Sequence, residues 1–522
     1  MHPAAIADQS PERPAVIMAS SGETVTYGDL NRRSNQLAQL FHDRGLRPGD
    51  HIAIMVENHL RFLEVAWGAQ RSGLYYTPIN SHLTAPEAAY IVDDCAAKVV
   101  VSSHRLAPVA TRLDSALTPA VAVRLMVDGT EAGWASYERE IAGYPTDPIE
   151  DECEGEAMLY SSGTTGRPKG IMRPLSLAPL GQGLDILGGF LELLEMQDGA
   201  VYLSPAPMYH SAPLLWSMAV QRRGATVVVM EHFEPAAALA LIERFSVTHS
   251  QWVPTMFVRM LKLPEEERSR FDLSSHRWAI HAAAPCPATV KKQMIDWWGP
   301  ILWEYYSATE GVGATHITSD KWLSHPGSVG RSVLGTIHIL DDDGTPVDNG
   351  QVGTVWFEGG VSFKYHNDEP KTAGAHNQDG FATVGDVGYV DDEGFLYLTD
   401  RKAFTIIAGG VNIYPQEAEN VLVTHPKVLD AAVIGVPDQD LGESVKAVVQ
   451  PIDWSDAGPE LAAELLDFCR QHLASYKCPR SVDFEQELPR LDTGKLYKQI
   501  LRARYREQKP ASEYLTGDSG TA

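Results

Sequence analysis

Residues 160–170 of the chain, YSSGTTGRPKG, contain three glycines, four Ser or Thr hydroxyls and one lysine. Glycine lets consecutive backbone N–H groups turn toward one anion, while hydroxyl and ammonium groups add donors and positive charge. This composition predicts a phosphate-binding loop, although a surface turn between two strands has a similar composition. The spacing excludes a Walker-type loop, because Arg167 and Pro168 separate Gly166 from Lys169.

Further side chains able to do chemistry stand in short polar motifs along the chain. YYSATEG includes Glu310, and DGFATVGDVGY carries Asp386. PMYHSAP carries His210, and PRLDTGK ends in Lys495. Taken alone, each residue also has a structural interpretation: a helix start, a turn at a strand end, a structural histidine and a solvated loop lysine.

The order of apolar runs predicts the elements that position these motifs. HIAIMV, YYTPIN and AKVVVSS are expected to form buried strands, with the helical stretches FLEVAWGAQRSG and APEAAYIVDDCA between them. Such alternation predicts a layered α/β domain with a mostly parallel sheet. Thr26, followed three residues later by Asp29, predicts the start of a helix that ends near Gly45.

The pattern changes near residue 330 and again near residue 400. GTIHILDDDGTPVDNGQVGTVWFEGG places Gly, Asp and Asn turns between alternating strands, which predicts a small antiparallel sheet or a β-barrel-like subdomain. FTIIAGGVNIYPQEAENVL then predicts a hairpin and a helix with Pro415 in its first turn. We therefore predict an α/β fold with a large domain over residues 1–400 and a small α+β domain over residues 401–522.

Composition limits the classes of function. A formal net charge of −25 over 522 residues argues against a nucleic-acid-binding protein and against general attraction to anionic membranes. The five cysteines are scattered without a CxxC pair, which is typical of reduced intracellular thiols. No signal peptide or transmembrane segment is expected, and a cytoplasmic location is predicted.

The order of the motifs resembles the adenylate-forming superfamily, which includes acyl-CoA synthetases, beetle luciferases and the adenylation domains of peptide synthetases. The resemblance rests on YSSGTTGRPKG, PMYHSAP, YYSATEG, DGFATVGDVGYVDDEGFLYLTDR, GGVNIYPQEAE and PRLDTGK, and covers nearly the whole chain. It implies a C-terminal domain that moves and a reaction in two steps. A carboxylate attacks the α-phosphate of MgATP to give acyl-AMP and pyrophosphate, and the thiol of CoA then displaces AMP.

The resemblance also implies a set of nucleotide-binding residues. Tyr306 is expected to stack on adenine, with Tyr305 as the alternative if the register differs by one, and Asp386 to accept the ribose hydroxyls. The implied ATP or AMP contacts are Ser161, Ser162, Gly163, Thr164, Thr165, Gly166, Lys169, Ala283, Ala284, Pro285, Tyr305, Tyr306, Ser307, Asp386 and Arg401.

Catalytic roles follow from the same resemblance. Lys495 is expected to bridge the acyl carboxylate and the α-phosphate, and Thr309 to contact the α-phosphate. Glu310 and Thr164 are the expected Mg²⁺ ligands. His210 matches the position that gates the acyl pocket, and a structural histidine remains the alternative.

The second half-reaction depends on the C-terminal domain. Gly409 and Gly410 match the glycine pair that lines the pantetheine tunnel, where a Cβ would obstruct the thiol arm, although an ordinary hairpin turn has the same composition. Many relatives carry Lys or Asp two residues after the boundary arginine, but this chain has Ala403 there. We interpret Ala403 as the hinge, because a hinge requires only permissive φ and ψ.

The sequence defines the carboxylic acid substrate less well than it defines the class of reaction. The acyl pocket is expected near residues 210–216, 252–260 and the segment HAAAPCP, where small alanines beside large aromatic side chains favour a bulky or long apolar acid. Within the superfamily, the chain most resembles the bacterial fatty-acyl, steroid-acid and aryl-acid CoA ligases, and the resemblance implies a fatty, steroid-side-chain, aryl or cinnamic acid as substrate. A luciferase-like oxygenase and a non-catalytic nucleotide-binding scaffold are two further candidate functions, and a homodimer is the oligomeric state to be tested. The full set of Lys169, Glu310, Asp386 and Lys495 argues against the scaffold.

Overall fold

The computed structural model describes residues 1–161, 168–183, 187–401, 404–409, 411–438, 440–490 and 496–507, without the side chains of residues 401, 506 and 507. Its strands form five sheets. The first is a six-stranded sheet in which every neighbouring pair is parallel. In spatial order its strands are Ala135–Ser136, Val123–Val127, Val99–Ser103, His51–Met55, Tyr75–Pro78 and Glu156–Ala157.

The second sheet has nine strands and a parallel centre with antiparallel edges. The carboxyl ends of its parallel strands meet along one edge, where ligands bind in open α/β sheets. In spatial order the strands are Arg331–Leu334, Ala314–Thr318, Leu302–Ser307, Trp278–His281, His249–Trp252, Val201–Ser204, Thr226–Val229, Pro14–Met18 and Thr24–Thr26.

Two smaller sheets of the described residues are antiparallel. The phosphate hairpin, strands Leu159–Ser161 and Lys169–Met172, pairs with the short strand Lys364–Tyr365. The other sheet has four strands, in the order Thr336–Leu340, Gly353–Glu358, Asp386–Val390 and Leu396–Arg401.

The C-terminal part has a sheet of its own. Strands Val411–Ile413, Ile406–Ala408, Gly442–Pro451 and Val428–Asp438 are antiparallel neighbours, and Ser481–Phe484 adds in parallel to Gly442–Pro451. The chain leaves the four-stranded sheet at Arg401 and enters this one at Ile406. A separate set of buried side chains around Val433, Ala447 and Leu465 forms the hydrophobic core of this part.

Helices cover the faces of the sheets. The α-helices of the described residues are Pro3–Gln9, Tyr27–Asp43, Leu60–Gln70, Ala85–Asp94, Ala107–Ala110, Tyr137–Ala142, Gly188–Leu193, Ser211–Gln221, Pro235–Arg244, Pro254–Leu261, Glu265–Arg268, Ala288–Trp298, Ser319–Ser324, Glu369–Gly374, Pro415–Leu422, Pro459–His472 and Lys498–Glu507. None of the helices in these described segments is long and apolar enough to span a bilayer.

The architecture confirms the predicted α/β fold class and its main elements. The predicted parallel sheet, the later antiparallel sheet and the C-terminal hairpin all form. The Thr26 side chain accepts a hydrogen bond from the backbone N–H of Asp29, as the capping pattern predicts, and the helix ends at Asp43. Pro415 occupies the first turn of its helix, where a missing N–H costs no intrahelical hydrogen bond. All five cysteines are free thiols.

Candidate active site

A cleft of about 1240 Å³ runs between the nine-stranded sheet, the four-stranded sheet and the C-terminal part. Its walls contain both small apolar groups and charged side chains, the mixture expected of a binding site for a polar ligand with an apolar portion. Of the residues predicted from the sequence, it is lined by Ala283, Ala284, Pro285, Tyr305, Tyr306, Ser307 and Asp386. The C-terminal part contributes Gln416, Glu419, Asn420, Arg490, Leu496 and Lys498.

The loop Ala282–Pro287 forms one wall of the cleft at the carboxyl end of strand Trp278–His281. Ala283 adopts a φ of +74° and is exposed to the cleft. A non-glycine residue rarely adopts this left-handed conformation, and such residues cluster at ligand sites. With alanine here, the side chain that faces the cleft is a single methyl group.

Tyr306 and Asp386 meet across the cleft. Tyr306 belongs to strand Leu302–Ser307, and Asp386 is the first residue of strand Asp386–Val390 in a different sheet. The Tyr306 hydroxyl donates to Asp386 Oδ2 at 2.7 Å. The hydrogen bond fixes the direction of a buried carboxylate at the edge of the cleft.

Tyr305 occupies a different setting from its neighbour. Its hydroxyl accepts hydrogen bonds from Trp216 Nε1 at 3.0 Å and Gln251 Nε2 at 3.1 Å, and its ring packs near Phe190. Burial raises the pKa of the Tyr305 phenol to about 12, partly offset by these two hydrogen bonds. Tyr305 is thus locked into the core on one side, whereas Tyr306 is only partly buried.

Trp216 and Trp252 do not line the cleft, although both belong to segments where the acyl pocket was expected. Both are about 1% exposed and belong to hydrophobic clusters, where Trp216 donates to Tyr305 and Trp252 donates to Ser250. Sequence position alone placed them in the pocket wall, but the helix and strand that carry them turn these rings into the core. His210 immediately precedes helix Ser211–Gln221, beside the ring of Tyr209, which does line the cleft.

Glu310 is not among the cleft-lining residues but contacts the strand that pairs with the phosphate hairpin. Its Oε1 accepts a hydrogen bond from the Tyr365 hydroxyl at 2.8 Å, and the residue is 8% exposed. Thr309 precedes it, and the Ser307 hydroxyl donates to the carbonyl of Gly313 at 2.9 Å. A single carboxylate of this kind fits Mg²⁺, which usually takes one or two protein carboxylates and completes its coordination with phosphates and water.

Lys169 begins the second strand of the phosphate hairpin and forms an ion pair. Its Nζ lies 3.0 Å from Asp368 Oδ2, and this hydrogen bond raises the pKa of the lysine. Ser161 ends the first strand and donates to the Lys169 carbonyl at 3.4 Å. The other predicted loop residues, Ser162, Gly163, Thr164, Thr165 and Gly166, lie outside the described residues.

The C-terminal part brings further charges to the cleft. Lys498 Nζ lies 2.8 Å from Glu419 Oε1, and Arg490 pairs with Asp430. Lys495 lies outside the described residues, between Arg490 and Leu496 in the sequence, which both line the cleft.

The predicted hinge and tunnel residues are described only in part. The backbone of Arg401 pairs with Asp386, which brings these two predicted ribose-binding positions together. Gly409 has a φ of +57°, a value that favours glycine. Ala403 and Gly410 lie outside the described residues.

A buried charge pair behind the cleft was missed by the sequence analysis. Lys291, fully buried, pairs with Glu304, and Glu304 lines the cleft next to Tyr305. Burial raises the pKa of Glu304, and the Lys291 ammonium partly offsets that rise. Tyr365 and Asp368 were missed as well. Helical periodicity could have flagged Lys291 as a charge on an apolar face, but no local signal identifies its partner.

Among the residues that the structure describes, no group of three or more His, Cys, Asp or Glu side chains is arranged to hold a metal ion.

The comparisons with known proteins identify the family. A family model described as AMP-binding enzyme matches residues 4–365, and one described as AMP-binding enzyme C-terminal domain matches residues 417–495.

Relatives and solved structures agree with these matches. A long-chain-fatty-acid–CoA ligase of Mycobacterium tuberculosis is 30% identical over 509 residues, covering 96% of this chain and 97% of that protein. A feruloyl-CoA synthase of Amycolatopsis is 32% identical over 499 residues, covering 94% and 96%. The crystal structure of ATP-bound MatB from Rhodopseudomonas palustris has a TM-score of 0.81 at 27% identity, covering 97% of this chain and 99% of that one.

The chain therefore belongs to the AMP-binding enzyme family, within the adenylate-forming superfamily. It is an acyl-CoA synthetase, an AMP-forming acid–thiol ligase with ATP and CoA as substrates.

Proposed function

We propose that this ligase activates a bulky apolar carboxylic acid, such as a medium- or long-chain fatty acid or a steroid side-chain acid. The cleft between the Ala282–Pro287 loop, the Tyr306–Asp386 pair and the C-terminal part is the observation that supports the proposal. The lining includes polar groups for a nucleotide, together with small alanines, Met256 and Val258 for an apolar acid.

The nucleotide is expected to bind across the two sheets. Tyr306 stacks on adenine beside Ala283, Ala284 and Pro285, while Asp386 accepts the ribose hydroxyls, close to Arg401. The geometry supports this arrangement, because Tyr306 hydrogen-bonds to Asp386 and the backbone of Asp386 pairs with that of Arg401. Tyr305 is the weaker candidate for stacking, because Trp216 and Gln251 already hold its hydroxyl.

The first chemical step brings a carboxylate against a triphosphate. Two unit charges 4 Å apart repel by about 4 kcal/mol at an effective dielectric constant near 20, so cations must offset this repulsion. Lys495 is the proposed cation between the acyl carboxylate and the α-phosphate, and Lys169 the proposed partner of the distal phosphates. In the sequence, Lys495 directly precedes Leu496, which lines the cleft, and this supports its proposed role.

Glu310 and Thr164 are the proposed ligands of Mg²⁺. When bound, the ion neutralises phosphate charge and orients the triphosphate. The chain supplies a buried carboxylate beside the phosphate hairpin, and Thr309 precedes it as the proposed α-phosphate contact.

The same proposal includes four further features: the domain boundary at residues 400 and 401, the hinge at Ala403, the CoA tunnel at Gly409 and Gly410, and the gate at His210. In this proposal, thioester formation requires a rotation of residues 401–522 against residues 1–400. A cytoplasmic homodimer is the proposed state of the enzyme, to be checked by light scattering coupled to gel filtration.

An aryl or cinnamic acid is the second candidate substrate class. Tyr305 closes the cleft on one side, and Trp216 and Phe190 fill the space behind it. A floor of fixed aromatic rings favours a compact, flat acid over a long chain. The two relatives named above differ in the same way, since one is named for a long-chain fatty acid and the other for ferulate.

A competition experiment tests these proposals. The enzyme is incubated with ATP, Mg²⁺, CoA and an equimolar pool of acetic, fatty, steroid-side-chain, cinnamic and benzoic acids, and the new thioesters are identified by mass. A dominant fatty or steroid-side-chain thioester supports the first proposal, and a dominant cinnamoyl or benzoyl thioester supports the second. Formation of acetyl-CoA in preference to all of them would contradict both.

A further inference from the structure

The segment 364–374 lies between the two sides of the proposed triphosphate site. Its strand, Lys364–Tyr365, pairs with the phosphate hairpin so that Tyr365 stands opposite Ile171. Its helix, Glu369–Gly374, begins after Asp368, whose side chain caps the helix by accepting from the Lys371 N–H. The segment therefore has a rigid connection to the hairpin that carries Lys169.

This segment contacts both charged groups of the site. Asp368 pairs with Lys169 at 3.0 Å, and the Tyr365 hydroxyl donates to Glu310 Oε1 at 2.8 Å. The Tyr365 side chain is buried, with Phe363 packed at its edge and the Lys371 ammonium 3.9 Å from the ring centre. A ring enclosed in this way keeps its hydroxyl in one place.

The hydrogen bond from Tyr365 engages only one of the two carboxylate oxygens of Glu310. Oε1 of Glu310 accepts from Tyr365, whereas Oε2 accepts no hydrogen bond from any described residue. Groups that hydrogen-bond to a metal-binding carboxylate fix its orientation, and their removal typically weakens metal affinity about 10- to 100-fold.

We infer that Tyr365 is a positioning residue for the metal carboxylate, holding Glu310 so that Oε2 remains open to the Mg²⁺ that accompanies ATP. The inference rests on the proposed role of Glu310. It assigns Tyr365 a task that packing alone does not require, because phenylalanine would fill the same space.

The test uses Tyr365→Phe in the full-length enzyme and measures equilibrium binding of a fluorescent, non-hydrolysable ATP analogue. Affinity is determined with saturating Mg²⁺ and again with EDTA, and the Mg²⁺ concentration giving half-maximal enhancement is recorded. We expect that concentration to rise about 10-fold in Tyr365→Phe, while the affinity in EDTA stays within about twofold of wild type.

Tyr137→Phe is a matched control. Tyr137 is also buried and also donates to a glutamate, Glu64 Oε2 at 3.2 Å, but Glu64 belongs to helix Leu60–Gln70 and not to the phosphate hairpin or the strand that pairs with it. Its Mg²⁺ dependence should equal that of wild type, and melting temperatures of both variants show whether they remain folded.

A double-mutant cycle with Glu310→Gln keeps the inference falsifiable if Tyr365→Phe is less stable. If Tyr365 acts through Glu310, adding Tyr365→Phe to Glu310→Gln should cause no further change in Mg²⁺ dependence. An additional 10-fold change there, or equal losses with Mg²⁺ and EDTA, would overturn the inference. A wild-type enzyme that binds the analogue without any Mg²⁺ enhancement would instead contradict the proposed metal site itself.

Discussion

At the scale of single residues, the cleft depends on polar side chains that hold one another in place. Tyr306 and Asp386 hydrogen-bond across two sheets, and Lys291 and Glu304 form a buried ion pair behind the same wall. The first pair faces the proposed nucleotide, whereas the second supports the strand that carries Tyr305 and Tyr306. Their removal should therefore affect different properties.

Tyr306→Phe should weaken nucleotide binding with a smaller effect on turnover. The variant keeps the ring but loses the hydrogen bond that orients Asp386, and a charge-assisted hydrogen bond of this kind contributes about 1.5 kcal/mol. We expect the KM for ATP to rise about 10-fold in pyrophosphate exchange. Tyr144→Phe removes an exposed Tyr–Asp hydrogen bond of the same 2.7 Å length, to Asp43, and should leave KM unchanged. An unchanged KM in Tyr306→Phe would contradict the assignment of this pair to the nucleotide.

Lys291→Met should destabilise the fold. The substitution leaves the buried Glu304 carboxylate without its cation, and loss of one partner of a buried ion pair costs about 3–5 kcal/mol. Urea denaturation at pH 7 measures the loss. Lys292→Met, which removes the neighbouring lysine from an exposed pair with Asp296, is the control and should change the free energy of unfolding little.

The Lys291→Met variant should also gain a distinctive pH dependence. Burial raises the pKa of Glu304 above its ordinary value of 4.5, and without Lys291 this rise is no longer offset. A folded-state pKa above the unfolded value favours folding at low pH, and the benefit disappears as pH increases through the raised pKa. The stability deficit relative to wild type should therefore be smaller at pH 5 than at pH 8. An equal deficit at both pH values would show that Glu304 is not the group affected.

At the scale of elements, the loop at the carboxyl end of strand Trp278–His281 forms one wall of the cleft, the proposed nucleotide site, through an unusual backbone turn. Ala283 has a φ of +74°, which L-residues adopt at a cost, and a β-branched side chain suffers most. The sequence HAAAP contains no glycine at this point. The loop is therefore held in a conformation that its own residues do not favour.

Ala283→Val should lower both stability and nucleotide affinity. We expect a loss of about 1–2 kcal/mol in the free energy of unfolding, because valine resists the left-handed region more than alanine does. Ala283→Gly should retain ATP binding. Ala237→Val adds the same atoms at an exposed position of helix Pro235–Arg244, which does not line the cleft and where φ is negative, and serves as the control. Melting curves and ATP titrations measure the effects, and a fully stable Ala283→Val would contradict the assigned strain.

At the scale of the whole molecule, two parts of the chain meet at one cleft, which we propose as the site of the reaction. Lys262, the residue that follows helix Pro254–Leu261, donates to the carbonyl of Val428 in the C-terminal part. A rotation of residues 401–522 between half-reactions, as we propose, would have to break this contact.

Ala403→Pro should separate the two half-reactions. A fixed φ at the proposed hinge restricts rotation, so thioester formation from acyl-AMP should slow at least about fivefold more than adenylation does. Rapid-quench measurement of each step is the test. Ala474→Pro is the control, because Ala474 has a φ of −61° that proline adopts readily. Equal slowing of both steps in Ala403→Pro would remove Ala403 from the hinge.

The sequence alone determined the fold class, the order of the elements and the class of reaction. The fold class and element order depend on local patterns, because apolar periodicity specifies strands and helices and because Thr26 and Pro415 mark helix starts. The class of reaction follows from the order of motifs, which resembles that of the adenylate-forming superfamily. Only the tertiary structure decided the pairings that build the site. Tyr306 and Asp386 are 80 residues apart and Tyr365 and Glu310 are 55 apart, and sheet packing brings each pair together. The burial of Trp216 and Trp252 could not be predicted from the sequence for the same reason. Burial depends on the residues that the fold packs around each ring, and these residues are not neighbours in the sequence.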